Sequence, residues 1–128
     1  MSDSPPSIRR YDVHAQSTDT FGRVLCECRQ QHFVVDGPVQ NGCPGEAVTP
    51  AELFLSGVAA CGVELLQVIA KEKALPLRSA RVKISGMMDR SRPVRTDFAL
   101  FNSVHLDFEL EGVSERQSTE LIEAFKKR

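Results

Sequence analysis

The sequence predicts an α+β domain, an antiparallel sheet with a buried central helix. Three observations predict it. A segment that opens like a helix is almost wholly apolar over residues 53–63. Two later segments alternate apolar and polar side chains with the period of two that a half-buried strand requires. The order reads β-β-β, helix, β-β, helix, which places helices on one face of antiparallel strands. A chain of 128 residues is one domain by length and buries a core without staples.

Residues 1–6 read as a disordered tail and residues 7–128 as the single domain. Residues 8–15 form a first strand, with Tyr11, Val13 and Ala15 on one face. Val24, Cys26 and Cys28 alternate with Leu25 and Glu27 in a second. Residues 32–36 make a third, ended by the turn Asp36-Gly37-Pro38. Thr49, Pro50 and Glu52 then supply the N-cap, first-turn proline and capping box of the central helix. Between Leu53 and Val63 its only polar side chain is Ser56, so the helix is expected to be buried on all sides. That run is too short for a bilayer and is interrupted by Gly57 and Gly62. Lys71 and Lys73 suit the negative end of the helix, and Pro76 stops it. Ala80, Val82 and Ile84 give the next strand its apolar face; Val104, Leu106, Phe108 and Leu110 do so for the last. Ser114 and Gln117 open a final helix with Leu121, Ile122 and Phe125 on its apolar face. One sheet cannot cover a helix apolar all round, and a second copy of the chain is the favoured cover.

Sixteen Lys and Arg against 17 Asp and Glu leave no excess of positive charge for nucleic acid or a membrane surface. The start shows no basic and apolar leader, so a cytoplasmic protein with reduced thiols is expected. Cys61, between Ala60 and Gly62, is the leading candidate site residue. On position alone it reads first as a small buried hydrophobe; a reactive thiol needs a cation or hydrogen bond that the distant helix start does not supply. Arg23, Arg29, Arg92 and Arg95 are the candidate cations, and read mostly as solvated charges. Cys26 and Cys28 share a strand face but lack a second ligand pair at zinc-like spacing. Cys43 lies in a Gly/Pro loop. His14, His32 and His105 fall on separate strands without ligand spacing, so no metal and no cofactor is expected.

The stretch Asp36-Gly37-Pro38, a Gly-rich loop, and Thr49-Pro50-Ala51-Glu52-Leu53-Phe54-Leu55-Ser56-Gly57-Val58-Ala59-Ala60-Cys61 resembles the OsmC and organic-hydroperoxide-resistance (Ohr) superfamily. The resemblance extends from about Arg29 onward. It implies an OsmC-like fold in an intertwined homodimer and a thiol peroxidase that reduces organic hydroperoxides in oxidative-stress defence. It implies Cys61 as the peroxidatic thiol, with a dithiol as reductant. Family peroxidases carry a glutamate directly after the helix proline. Here that position is Ala51 and the carboxylate is Glu52, one residue on and about 100° round the helix, so Glu52 is only a weak candidate. The family also places a resolving thiol in a Cys-Pro after the last helix. The sequence ends at Lys126-Lys127-Arg128 before such a pair, and the expectation is resolution by Cys43 or by an external thiol. Two further readings stay open: a small-molecule-binding protein without turnover, and a redox sensor.

Overall fold

The computed structural model describes residues 7–97 and 100–128; the tail expected at residues 1–6 lies outside them. The chain divides into two compact units, one ending at Leu53 and the other comprising Phe54–Arg128. The secondary structure is α+β, with every strand pair antiparallel.

In the first unit β1 (His14–Ser17), β2 (Arg23–Cys28) and β3 (Gln31–Asp36) form a three-stranded sheet in that order. The β2–β3 hairpin turns through Arg29 and Gln30, both at positive φ (47° and 68°), as a tight two-residue turn with the twist of its strands demands. That turn sets the register: Val24 pairs with Val35, and Cys26 with Phe33. Cys26 and Val35 are buried on that face. The turn also explains why the first strand is shorter than the pattern over residues 8–15. Glu27 pairs with His14, β2 ends at Cys28, and residues before His14 have almost no strand left to join. A 3₁₀ turn at Val39–Asn41, not anticipated from sequence, ends at Gly42 with φ of 78°.

The helix α1 (Pro50–Glu72) starts in the first unit and supplies the second with its core. Gly62, Leu66, Ile69 and Ala70 are its buried residues, spaced as one stripe of a 3.6-residue helix. Around Leu66, Ile69 and Ala70 pack Leu121 of α2 (Glu115–Lys126) and the half-buried Ala80, Phe108, Leu110 and Phe125. The strands β4 (Ser79–Met87) and β5 (Ser103–Glu111) pair along their whole length, with Val82 opposite Phe108 and Ile84 opposite Leu106. The capping box expected at Ser114 is present: its hydroxyl accepts from the Gln117 N–H at 3.1 Å, and the Gln117 side chain accepts from the Ser114 N–H at 2.9 Å. At the far end of α1, Ala74 takes a left-handed conformation (φ 53°) and Leu75 N–H reaches back to Ala70 O at 2.8 Å. Gly112 is confined to glycine: its φ is 91°, and a Cβ there would stand 2.5 Å from Pro76 O.

Two features refine the expected architecture. The strands form two sheets, of three and two strands, rather than one. The helix is not buried on all sides of the single chain: before Gly62, Leu53, Phe54, Ser56, Gly57, Ala60 and Cys61 are exposed. The reason is topological, since α2 and the β4–β5 pair bury the stripe from Gly62 to Ala70, whereas before it Phe54 stacks on Phe101 and still stays exposed. At 23 residues and a mean hydropathy of 1.9 over its most apolar window, α1 is also long and apolar enough, by length and composition, to cross a membrane. The segment reads otherwise from residues 53–63 alone.

Candidate functional site

Cys61 occupies the open side of α1. The helix starts at Thr49, whose N–H and hydroxyl both donate to Glu52 Oε1, at 3.0 and 2.8 Å. The Glu52 N–H returns a longer bond to Thr49 Oγ1 at 3.4 Å. These two donors favour the ionised carboxylate and hold Glu52 below its usual pKa. Glu52 is therefore engaged in the cap. Nine positions separate it from Cys61 along one helix, about 13 Å of rise, so the helix itself does not bring them together.

The Cys61 thiol is free and, in the single chain, exposed, on the side for which a second copy was the expected cover. Gly57 lies one turn before it, and a Cβ built there meets nothing within 4 Å. Phe54, two turns before, faces the same side by helical spacing. Phe54 is 59 % exposed and stacks on Phe101, with ring centroids 5.8 Å apart and planes at 23°. The sulfur thus opens on a shallow apolar strip with an aromatic shelf at one end. Immediately next along the chain the environment closes: a Cβ at Gly62 would sit 3.6 Å from the Phe125 ring and 3.9 Å from that of Phe108. These two rings meet edge-on at 5.6 Å and 67°. A thiol on such a surface is reachable by a small molecule and is able, as thiolate, to act as a nucleophile.

The other thiols are placed differently. Cys26 is buried in the sheet and Cys28 is half-buried. Cys43 is a wedge: its sulfur lies 2.5 Å from where a Cβ would stand on either Gly22 or Gly37. Close packing against two glycines, with a long contact to Asn41 O at 3.8 Å, ties this loop thiol into the first unit.

Two of the arginines considered as activators have carboxylate partners. Arg95 is paired with Asp97, its closer bond 2.6 Å long. Arg23 belongs to a cluster that sequence reasoning missed. Its Nε and Nη2 donate to the two oxygens of the fully buried Asp36 at 2.8 and 2.9 Å, and Nη2 also reaches Glu46 at 2.9 Å. The N–H groups of Glu46 and Ala47 add bonds of 3.0 and 2.9 Å to Asp36 Oδ2. The Arg23 guanidinium, foremost, holds the Asp36 carboxyl far below the usual carboxylate range, and Asp36 with Glu46 raises Arg23 in turn. Asp36 N–H also donates to Val48 O at 3.1 Å, so the clasp fixes the segment that delivers Thr49 to the helix start. Asp36 reads in sequence only as a turn residue; its signal is the strand pairing that sets it opposite Arg23. Among the described residues no three His, Cys, Asp or Glu side chains are gathered, as they stand, around a common metal position.

A family profile described as OsmC-like protein matches residues 43–128. Several solved structures share the fold. An OsmC-like protein from Mycoplasma pneumoniae superposes with a TM-score of 0.78 at 21 % identity, over 94 % of this chain and 82 % of its own. An organic hydroperoxide resistance protein from Elizabethkingia anophelis gives 0.74 at 17 %, over 96 % and 85 %. An organic hydroperoxide resistance protein OsmC from Legionella pneumophila gives 0.73 at 18 %, over 94 % and 85 %. No curated protein matches the sequence.

Proposed function

The chain belongs to the OsmC-like family, and from that membership we propose that it is a thiol-dependent peroxidase that reduces organic hydroperoxides, with Cys61 as the nucleophile. The observation that carries the reading is the placement of Cys61: a free thiol, exposed in the single chain, on an apolar strip of α1 beside an open glycine and a phenylalanine shelf. Fold relatives described as organic hydroperoxide resistance proteins support the substrate class.

In this reading the Cys61 thiolate attacks the terminal peroxide oxygen. An S–O bond forms, the O–O bond breaks, and the alkoxide leaves as an alcohol after taking a proton. A second thiol then attacks the sulfenic sulfur and expels water, leaving a disulfide, and a dithiol reductant restores both thiols by exchange. With Cys43 packed into the first unit, an external thiol supplies that second sulfur. The apolar strip favours peroxides with a hydrocarbon body over hydrogen peroxide. Glu52 serves the cap first, and any part in the chemistry is secondary.

The protein is proposed to work in the cytoplasm as a homodimer. The exposed apolar half of α1, with Phe54, Leu53 and Ala60, is the surface that a second copy would cover. The test is a steady-state assay with cumene hydroperoxide and dithiothreitol. Turnover is expected in the parent and abolished in Cys61→Ser with the fold retained. Equal turnover in the variant contradicts the assignment. Binding of the peroxide without consumption supports instead a small-molecule-binding protein, for which the Phe54–Phe101 shelf is the natural contact.

A further inference from the structure

The strand register places two of the three histidines where their spacing along the chain gives no hint of it. His14 on β1 is the cross-strand partner of Glu27 on β2, and Glu27 is the partner of His32 on β3. The three therefore stand in one row on one face of the sheet, each about 5 Å from the next at Cβ. We propose that this row binds one divalent transition-metal ion through the imidazoles of His14 and His32 and the carboxylate of Glu27.

The contact between Glu27 and His32 is already made, with His32 Nε2 at 3.4 Å from Glu27 Oε1. A cavity of about 290 Å³ opens above the row, lined by His14, Ala15, Gln16, Leu25, Glu27 and His32. As they stand the three donors do not converge on one point, but the strand pairing decides whether they are able to. Both histidines are exposed, and exposed side chains change rotamer within nanoseconds. Two imidazoles flanking a carboxylate across adjacent strands span about 10 Å, a gap that two imidazole arms can bridge with a metal–nitrogen bond of about 2 Å each. Two neutral nitrogens and one anionic oxygen form the donor set suited to zinc, nickel or copper rather than to magnesium or calcium. The thiols do not join it. Cys26 and Cys28 alternate with Glu27 along β2 and so belong to the opposite face.

The experiment is a calorimetric titration of the reduced, tag-free full chain with Ni²⁺, together with the histidine ring signals in NMR spectra. One ion per chain is expected, with the His14 and His32 ring signals broadened before that of His105. Glu27→Gln and His32→Gln should each weaken binding by at least about tenfold. His105→Gln, which removes the histidine paired with Asp107 at 2.9 Å on β5, should leave it unchanged. The substituted side chains lie at the surface of the sheet, and circular dichroism checks that the variants fold. An absent heat signal overturns the proposal. So does an affinity that His14→Gln and His32→Gln leave intact, which would place the ion elsewhere on the chain.

Discussion

Between Gly62 and Ala70, α1 lays a stripe of small and aliphatic side chains against α2 and the β4–β5 pair. Between Phe54 and Cys61 the same helix is just as apolar, yet most of its surface is open in the single chain. The two halves also begin differently. The first is held at its start by polar bonds, the Thr49–Glu52 capping box and, behind it, the Asp36 clasp. The second is held mainly by packing, with Glu72 at its end paired to Arg128 at 2.8 Å. The contrast teaches that composition says how much of a helix needs cover, while topology says which part the chain covers itself. The uncovered part carries the exposed thiol.

Two glycines allow the contrast to be broken. Gly62→Leu drives a branched side chain into the Phe125 and Phe108 rings that already lie at van der Waals distance from a Cβ. It should cost about 1–3 kcal/mol in denaturant unfolding; a variant as stable as the parent would show that these rings do not close on the helix. A Cβ at Gly57 meets nothing within 4 Å, and replacing this mid-helix glycine by Leu should by itself gain about 0.5–1 kcal/mol. If a second copy covers this half, the larger side chain should weaken association in sedimentation velocity while helicity is kept. Parent-like association would mean that the Gly57 side stays open in solution.

Acid sharpens the comparison by a smaller effect. The Glu52 and Asp36 carboxyls both have folded-state values held below their ordinary ones, by Thr49 and by Arg23 respectively. A lowered carboxyl stabilises the fold fully above its ordinary pKa of about 4 and ceases to do so as pH falls through its folded value. Amide exchange should therefore rise first at the start of α1 and at residues 46–48 as pH drops below about 4. Protection near Leu66 and Ile69, where apolar contacts dominate, should persist longer. Simultaneous loss at both places would contradict the division of α1 into a polar-anchored and an apolar-anchored half.

The element order, both capping boxes and the alternating faces of β4 and β5 were legible in the sequence, because each rests on local periodicity or on residues three apart. The placement of Cys61 was not. Its neighbours Ala60 and Gly62 look alike in sequence, yet one is exposed and the other buried, since a position on the helix circumference matters only once the packed side is known. The row of His14, Glu27 and His32 was hidden for a related reason. Register depends on the tight turn at Arg29 and Gln30, and neither residue is among those that announce such a turn. Asp36 reads in sequence only as a turn residue because its burial depends on a loop folding back over it.

Oxidation of Cys61 by one equivalent of cumene hydroperoxide, followed by peptide mass spectrometry, tests the central claim most directly. The account predicts that Cys61 is modified first, as sulfenic acid or as a disulfide derived from it, while the buried Cys26 remains a free thiol. An unmodified Cys61 under excess peroxide, with oxidation at other cysteines, would contradict it.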